Sequence, residues 1–555
     1  MLFPFPASVL LLAALASTGC SFFPRDEASL PVSAAATEAS ETVPAVVTAE
    51  IADATEDPKP TAVKVVTGLG NPLKREERPP LASIEKLLPP EGDEILQQIQ
   101  SLDQRVPAGF CEVKRPAEQF QMDMDAAIEL SKRFLVEYPD SDPVSWVRSV
   151  LVRMEVARLP CYRDSLLALG MSAQEMAQKY REHVCGILAF TESNADGCLK
   201  GSICRSASLL ASLCLQEQLE EYEELRSTAE ILLAEYPEHE ARPNVHVAVA
   251  QSFIREKRYE EAVKYLEKVI QLHSKDLECV LYNDRLFDAL HGAGDLEGME
   301  ELLRHVHAEY PSRILQIEEG HHLRQQYEQW LCVSSFWIGH VRLALGDPKG
   351  AREAIQQHIA EGDMRAQKAE AEGRKPGQDI CYTTLEFRSK DLLDFLDNYH
   401  GKIPKIDMDF GELWATEEKL TLRESKGKVV ALVFRPPKNR TAEALLQWVQ
   451  SLVTAQKGLL VGATIGYATK EADPVEDELL LQKMRDDLQR LRVSLPGGFD
   501  PDRKDQRFFR EVHAVVGTPS IVLINKKGEV SWFLNDPRQT DLAIAQRVIE
   551  RLLKE

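Results

Sequence analysis

The tripeptide Glu-Tyr-Pro occurs three times and indicates that the chain contains a repeated unit. The copies end at Pro139, Pro237 and Pro311, and each follows a stretch with apolar residues at three- and four-residue spacing. Because proline cannot continue a helix, each copy is predicted to end one. Each proline lies twelve residues after a residue predicted to pack in the middle of a helix pair; these residues are Ala127, Leu225 and Met299. This pattern predicts stacked pairs of helices.

The same period continues between the copies. Ala262, in "RYEEAVKYLEKVIQL", lies 37 residues after Leu225 and 37 residues before Met299. Helical periodicity extends over residues 95–399, and no strand pattern interrupts it. Residues 159–204 do not keep the period, so the spacing of the units is irregular.

Residues 244–276 resemble the tetratricopeptide family of paired helices. Ala250 takes the small-residue position where two helices touch, Tyr259 opens the second helix, and Ala262 is its small contact. A further unit has the matching residues Gly339, Gly346, Asp347 and Ala351. The resemblance implies an α-solenoid of helical pairs with an extended concave surface. We interpret this surface as a groove for partner proteins; the alternative is a spacer that only packs against its neighbour.

From residue 403 the pattern changes to alternating strands and helices. Apolar runs in "GKVVALVF" and "GLLVGATIGY" predict buried strands, and "TAEALLQWVQSLVTAQ", "EDELLLQKMRDDLQRL" and "KDQRFFREVHAV" predict helices. "PSIVLINKKGEVSWFL" predicts a hairpin with Lys526, Lys527 and Gly528 at its turn, and "DLAIAQRVIERLLK" predicts a closing helix. The alternation predicts a partly parallel sheet that is covered on both faces.

The order "GKVVALVF", helix, "FDPD", "VVGTPSIVLINKKGEV" resembles the thioredoxin-like superfamily over residues 403–555. The nearest branches are the envelope thiol–disulfide oxidoreductases and the peroxiredoxins. In that family a Thr-Pro peptide of this kind is cis and faces the active site, which implies a cis bond at Thr518-Pro519. The fold class is therefore predicted to be multidomain: an α-solenoid followed by an α/β thioredoxin-like domain.

The segment that would carry the family's chemistry has no thiol. The two family cysteines would fall near Asn439 and Ala442, and no cysteine follows Cys381. Because the family mechanism needs a thiolate at a helix N-terminus, no catalytic residue is predicted. Arg435, Lys438 and Arg440 remain beside the helix start and could hold an anion. The preferred interpretation is that they are solvated charges on a loop, with Asn439 or Thr441 capping the helix.

The N-terminus has the pattern of an export signal. An apolar stretch over residues 9–16 is followed by "STGC", which resembles a bacterial lipobox with Cys20 as the lipidated residue. Ser17 and the lack of a preceding Lys or Arg depart from that pattern, and cleavage after Ala16 is the alternative. Ser21 favours the outer membrane over the inner one in the usual bacterial sorting rule. Residues 24–80 contain no aromatic residue, cysteine, histidine or methionine, which predicts a flexible tether.

Composition narrows the function classes. The formal net charge of −22 and the lack of a basic stripe argue against nucleic acid as a partner. Nine cysteines besides Cys20 all lie in the helical region, without a CxxC pair, so no metal or other cofactor is expected. Cys198 and Cys204, in a glycine-rich break, are the candidate disulfide, whereas Cys214, Cys279 and Cys332 are predicted to be buried small hydrophobic residues.

These patterns predict a signal peptide over residues 1–20, a tether over 21–90, a helical-repeat domain over 91–400 and a thioredoxin-like domain over 401–555. The predicted protein is exported, lipid-anchored in the bacterial envelope and faces the periplasm, where its redox-inactive domain and solenoid groove bind envelope proteins. One alternative is a thiol–disulfide oxidoreductase or antioxidant protein that uses cysteines of the helical region. The other is a structural spacer.

Overall fold

The computed structural model describes residues 89–105, 117–139, 143–169, 171–319, 321–371, 380–404, 415–417, 420–435, 440–456, 458–466, 474–499, 519–535 and 541–555. The chain divides into two compact units, Met1–Val245 and His246–Glu555. The predicted signal peptide, Cys20 and the tether up to residue 88 lie outside the described residues. No helix among the described residues is long and apolar enough to cross a membrane.

The first unit is helical throughout its described residues. Its helices are α1 (Pro90–Arg105), α2 (Ala117–Glu137), α3 (Val144–Ala168), α4 (Ala173–Gly197), α5 (Ile203–Leu219) and α6 (Tyr222–Glu235), and α7 (Arg242–Arg255) contains the boundary between the units. One apolar cluster joins α1, α2 and α3 through residues such as Ile99, Met124 and Val147. A second joins α3, α4 and α5 through Val156, Val184 and Leu215.

The second unit begins with helices joined in pairs by short turns. After α7 come α8 (Tyr259–His273), α9 (Cys279–Ala293), α10 (Leu296–Ile314), α11 (His322–Leu345), α12 (Pro348–Ala371) and α13 (Ile380–Asn398). The pairs are α7 with α8, α9 with α10, and α11 with α12. Gly294 and Gly346 end α9 and α11 in the left-handed conformation, with φ of 67° and 88°. Asp295 and Asp347 follow them and accept hydrogen bonds from the N–H of Gly298 and Gly350.

The predicted period corresponds to the packing of these helices. Ala127, Leu225, Ala262 and Met299 are all fully buried. Ala250 and Ala262 are buried as well, and Tyr259 is the first residue of α8. Gly339 allows the close approach of α11 and α12, because a Cβ atom there would lie 2.5 Å from Ile355 Cδ1. These positions confirm the prediction of a helical-repeat region.

One expectation about the prolines is wrong. Pro139 and Pro237 follow the ends of α2 and α6, but Pro311 lies inside α10, which continues to Ile314. Contacts at Arg313 account for the extra turn: its Nη2 donates to Ser274 O at 2.6 Å and its Nη1 to Asp276 O at 3.3 Å. The end of α10 is thereby tied to the turn between α8 and α9, so the helix persists past the missing proline N–H.

The C-terminal part of the second unit, residues 429–555, is here called the sheet domain; its described residues form a mixed five-stranded sheet and three helices. Its elements are β1 (Val429–Arg435), α14 (Arg440–Ala455), β2 (Leu460–Gly466), α15 (Pro474–Leu491), β3 (Gly497–Phe499), β4 (Ser520–Ile524), β5 (Val530–Asn535) and α16 (Asp541–Lys554). The strand order is β3-β2-β1-β4-β5. β1 pairs in parallel with β2, which pairs in parallel with β3, and β4 is antiparallel to β1 and β5.

Most predicted elements of this domain are confirmed. β4 and β5 form the expected hairpin, in which Gly528 N donates to Asn525 O at 2.9 Å and Gly528 has φ of 86°. All seven residues of β1 are buried, as expected for a strand covered on both faces. The short strand β3 was not predicted. The helix predicted for "KDQRFFREVHAV" lies outside the described residues.

A single apolar core joins the repeat helices to the sheet domain. It extends from Ala250 in α7, through the interior of α9 and α11, to the strands and to Leu552 in α16. Phe395 of α13 packs against Phe533 of β5 in a tilted arrangement, with ring centroids 4.4 Å apart. The chain after α13 also pairs with β5, because Gly401 N donates to Val530 O and Val530 N donates to Lys402 O. The second unit is therefore one packed body that contains both kinds of structure.

Candidate functional site

The last helix, α16, lies against the ends of two consecutive repeat pairs. A Cβ atom on Gly294 would lie 3.0 Å from the backbone oxygen of Ala543, and one on Gly346 would lie 2.8 Å from Arg551 Nη1. Both glycines end the first helix of a pair. α16 therefore runs along the repeat turns and covers the C-terminal ends of α9 and α11.

Electrostatics support this docking. Arg551 Nε donates to Ala344 O, one of the last carbonyls of α11, at 3.1 Å. Arg547, one turn earlier on α16, packs with its Cγ 3.1 Å from the Cβ position of Gly294, at the end of α9. Helix C-termini carry partial negative charge and unpaired carbonyls, so basic side chains are favoured there.

Two histidines line the same contact. His291 Nε2 of α9 lies 3.0 Å from Asp541 Oδ1 at the start of α16. Burial lowers the pKa of His340 in α11 to about 4; Arg388 lowers it further and Asp541 acts in the opposite direction. The contact between α16 and the repeats therefore contains a histidine that stays neutral near pH 7.

The first helices of three pairs are bridged by polar side chains, which form a network we call the polar ladder: Gln251, Asp284, Arg285, Asp288 and Trp330. Arg285 Nη1 of α9 donates to Gln251 Oε1 of α7 at 3.1 Å and to Asp288 Oδ2 at 2.7 Å. Trp330 Nε1 of α11 donates to Asp284 Oδ1 at 3.0 Å.

Burial raises the pKa of Asp284 to about 6, although Arg285 and the Trp330 hydrogen bond oppose the shift. Asp288 keeps 39% of its side chain exposed, so the ladder reaches solvent. The ladder therefore links α7, α9 and α11 through polar contacts.

A second candidate site lies at the carboxyl edge of the parallel strands, where ligands of open α/β sheets usually bind. Arg435, the last residue of β1, is the largest fully buried side chain of the described residues, at 1% exposure. Its Nη1 donates to Asp487 Oδ2 of α15 at 3.1 Å. Within the described part of the chain, its Nε and Nη2 have no hydrogen-bond partner. The interpretation of Arg435 as a solvated loop charge is wrong, because it ends a buried strand and neutralises a carboxylate.

Asp487 and Arg490 connect the Arg435–Asp487 pair to α14, the helix that follows β1. Asp487 Oδ1 accepts from Arg490 Nη2 at 3.2 Å, and Arg490 also bonds Glu443 in the first turn of α14. Burial alone would raise the pKa of Asp487, but the hydrogen bonds from Arg435 and Arg490 lower it below the usual value. A charge network thus joins the end of β1 to α14 and α15.

The remaining residues of the predicted loop are only partly described. Arg440 is the first residue of α14, and Ala442, in its first turn, is fully buried. Pro519 directly precedes β4 and is buried. Lys438, Asn439 and Thr518 lie outside the described residues, so the predicted cis bond stays a prediction. Ala442 has no reactive atom and faces the interior.

The structure brings Cys198 and Cys204 together in a disulfide with Cα atoms 6.2 Å apart. Cys214, Cys279 and Cys332 are buried as predicted, and burial raises the pKa of the Cys214 and Cys279 thiols. Cys185 is an exposed free thiol. The described residues include no group of side chains that could hold a metal ion.

Several residues of both sites were missed in the sequence. Asp487 and Arg490 lie in a helix whose charges have no distinguishing pattern. The contact of α16 had a signal: Gly294-Asp295 and Gly346-Asp347 are repeated turns, and Arg547 and Arg551 are four residues apart on one helix face.

Comparison with known proteins identifies one repeat. The tetratricopeptide repeat family model matches residues 248–276, which include most of α7 and all of α8. This range lies within the unit 244–276 recognised from the sequence. No curated protein is significantly similar to the chain in sequence.

Three solved structures are similar to part of the chain. A thiol-disulfide isomerase from Corynebacterium glutamicum is 18% identical at a TM-score of 0.24, over 28% of this chain and 97% of its own. A thioredoxin family thiol:disulfide interchange protein from Chlorobium tepidum is 13% identical at 0.23, over 28% and 97%. The exposed lipoprotein thioredoxin of Streptococcus pneumoniae is 20% identical at 0.22, over 26% and 99%. These TM-scores are too low to support an argument, so the fold of the sheet domain is assigned from its strand order alone. For this chain the comparisons show one tetratricopeptide repeat.

Proposed function

We propose that this protein is an exported, lipid-anchored envelope protein that binds partner proteins through its helical repeats. The observation that carries the proposal is the polar ladder across α7, α9 and α11. Paired helices of this kind present extended surfaces to other proteins. α16 packs on the C-terminal ends of α9 and α11, so partner contacts are expected at the exposed end of the ladder, at Asp288.

The sheet domain, in this proposal, is a thioredoxin-like domain without thiol chemistry. No cysteine follows Cys381 in the sequence, and the Arg435–Asp487 pair occupies the carboxyl edge of β1. Exchange chemistry needs a thiolate, which neither residue supplies. The domain contributes α16 to the repeats and a surface of its own to partners.

Partner binding is tested with the full chain and two charge reversals. Asp288→Lys changes the exposed end of the ladder, whereas Lys349→Glu changes a side chain on α12 that is 87% exposed. Envelope proteins crosslinked to the wild-type chain should be lost with Asp288→Lys and kept with Lys349→Glu. Equal recovery with both variants would place binding elsewhere, and the absence of any crosslinked protein would favour the spacer.

Anchoring is tested at Cys20. A lipidated protein should partition into detergent and incorporate palmitate, and Cys20→Ala should release it into the soluble fraction. If Cys20→Ala leaves the fractionation unchanged, cleavage after Ala16 becomes the better interpretation.

The absence of redox chemistry in the sheet domain is tested with residues 246–555, which form one packed unit. This fragment should not reduce insulin or hydrogen peroxide above background. Turnover by this fragment, which lacks Cys198 and Cys204, would instead support the oxidoreductase alternative with another cysteine of the helical region.

A further inference from the structure

The disulfide between Cys198 and Cys204 joins the end of one helix to the start of the next. Cys198 directly follows α4, and Cys204 is the second residue of the 17-residue helix α5. Ser202 caps α5, since its side chain accepts a hydrogen bond from Arg205 N. The turn between the two cysteines therefore consists of few residues and ends at a helix N-terminus.

This turn is held by contacts other than the disulfide. Arg205 Nη1 donates to Ala195 O at 2.7 Å, which ties α5 back to α4. Tyr236 Oη donates to Ser202 O at 2.9 Å, and Asn194 Nδ2 donates to Ser208 Oγ at 2.8 Å between the two helices. Arg205 Nε in turn donates to Glu235 Oε2 at 2.7 Å. Because these bonds span the same turn, we expect the helix pair to keep its structure when the S–S bond opens.

The two sulfur atoms have different surroundings. Cys204 is only 6% exposed and lies in the first turn of α5, where the positive end of the helix stabilises a thiolate. Cys198 is half-buried and is followed by Leu199, which is 83% exposed, and by the exposed Lys200. An incoming thiolate can therefore approach Cys198 more easily, while Cys204 is the better leaving group.

We propose that Cys198–Cys204 is a thiol–disulfide exchange site that accepts two electrons from a dithiol protein. A partner thiolate attacks Sγ of Cys198, the Cys198–Cys204 bond breaks, and Cys204 leaves as a thiolate with the electron pair. The second partner thiol loses its proton and attacks the partner sulfur of the mixed disulfide, which releases Cys198 as a thiolate. The protons lost by the two partner thiols protonate the two cysteines, so the partner is oxidised to a disulfide and this pair is reduced.

This activity goes beyond partner binding by the repeats and does not involve the sheet domain. The exposed Leu199 is the apolar contact we assign to the dithiol protein. Loss of exchange would leave the crosslinking behaviour of Asp288→Lys unaffected, so the two proposals fail separately.

The first test measures the pair in the full-length protein with glutathione. Mixtures of reduced and oxidised glutathione are applied, free thiols are alkylated, and peptides containing residues 198 and 204 are quantified by mass spectrometry. We expect the reduced fraction to rise at least about tenfold across the mixtures, with unchanged helical circular dichroism. A pair that stays oxidised in the most reducing mixture, or whose reduction unfolds helices, would overturn the proposal.

The second test separates the two sulfurs. With oxidised glutathione, Cys204→Ser should form a mixed disulfide at Cys198 at least about tenfold faster than Cys198→Ser forms one at Cys204. The exposed Cys185 serves as an internal reference for thiol labelling in both proteins. Equal or reversed rates would refute the assignment of Cys198 as the attacked sulfur.

The third test concerns the dithiol partner. Leu199→Asp should slow reduction of the disulfide by reduced thioredoxin at least about threefold and leave reduction by dithiothreitol unchanged, because only a protein contacts that side chain. Lys200→Ala, at the next exposed position, is the matched control and should affect neither rate. If Leu199→Asp reacts with thioredoxin at the wild-type rate, Leu199 is not the contact.

Discussion

Arg551 and Ala344 are joined by a hydrogen bond of 3.1 Å although 207 positions separate them in the chain. The bond links the closing helix of the sheet domain to the last turn of a repeat helix. The side chain supplies positive charge and a donor where α11 has unpaired carbonyls. The sheet domain is therefore docked on the repeats by a helix that belongs to the apolar core they share.

Replacing Arg551 tests this docking. Arg551→Ala removes a charge-assisted hydrogen bond at a helix end, so the free energy of unfolding should fall by about 1–2 kcal/mol. Urea unfolding followed by tryptophan fluorescence measures the change. Gln546→Ala, on the exposed face of the same helix, is the control and should cost less than about 0.5 kcal/mol. Equal effects of the two substitutions would mean that the Arg551 contact adds no stability.

Substitutions at two glycines distinguish the cost of backbone strain from the cost of a clash with α16. Gly294 and Gly401 both have positive φ, 67° and 72°, but only the Cβ position of Gly294 meets another backbone, 3.0 Å from Ala543 O. Alanine at either position should lower the free energy of unfolding by about 1 kcal/mol, because it has to adopt the left-handed conformation. Gly294→Ala should cost at least about 1 kcal/mol more, because α16 has to shift. Thermal unfolding of both variants tests the difference, and similar melting temperatures would argue against tight docking.

The buried pair Arg435–Asp487 predicts strong coupling. Arg435→Ala leaves a cavity and removes one partner of a buried carboxylate, so it should destabilise the protein by about 3–5 kcal/mol. Arg435→Met alone should also destabilise, whereas Arg435→Met with Asp487→Leu should recover part of the loss. A double-mutant cycle from urea unfolding measures the coupling. Additive effects would show that the ion pair contributes nothing beyond the volume of its side chains.

Stability should depend on pH through His340. Burial lowers the pKa of His340 from its ordinary value of 6.5 to about 4 in the folded protein. Well above pH 6.5 the imidazole is neutral in both the folded and the unfolded chain. Between pH 6.5 and 4 the unfolded chain binds a proton that the folded protein does not. The free energy of unfolding should therefore fall by about 3 kcal/mol as the pH drops through this window.

His340→Phe should remove that dependence, and His305→Phe, on the exposed side of α10, should keep it. Asp284 and Asp391 act in the opposite direction, because burial raises the pKa of each to about 6 and the folded protein binds their protons first. Urea unfolding at several pH values gives the difference between variants, in which the aspartate contributions cancel. A His340→Phe protein with the wild-type pH profile would contradict the prediction.

Local patterns predicted most of the secondary structure. The period marked by Ala262 and Met299 corresponds to buried positions, and the apolar runs correspond to β1, β2 and the hairpin. Spacing along a helix or strand decides which residues face a core, so these features depend on neighbours in sequence. Pro311 is the exception, because the contacts of Arg313 with the preceding turn extend the helix past it.

The site residues were harder to predict because they depend on distant partners. Arg435 looks like a loop charge in "FRPPKNR", and only Asp487, 52 positions later, explains its burial. The docking of α16 likewise depends on residues more than 200 positions apart. Neither contact changes the local pattern of apolar residues, so periodicity contains no information about them.

α16 follows all of the repeat helices in the sequence, and this order has a consequence for synthesis. Its residues are translated after those of the repeat helices, yet Val548 and Leu552 belong to the same core as the repeat helices from α7 onward. At roughly 5–20 residues per second, the earlier helices wait many seconds for the segment that completes their core. During that interval their apolar surfaces stay accessible to chaperones, and a stop codon shortly before Asp541 would leave α9 and α11 without the helix that packs on their ends.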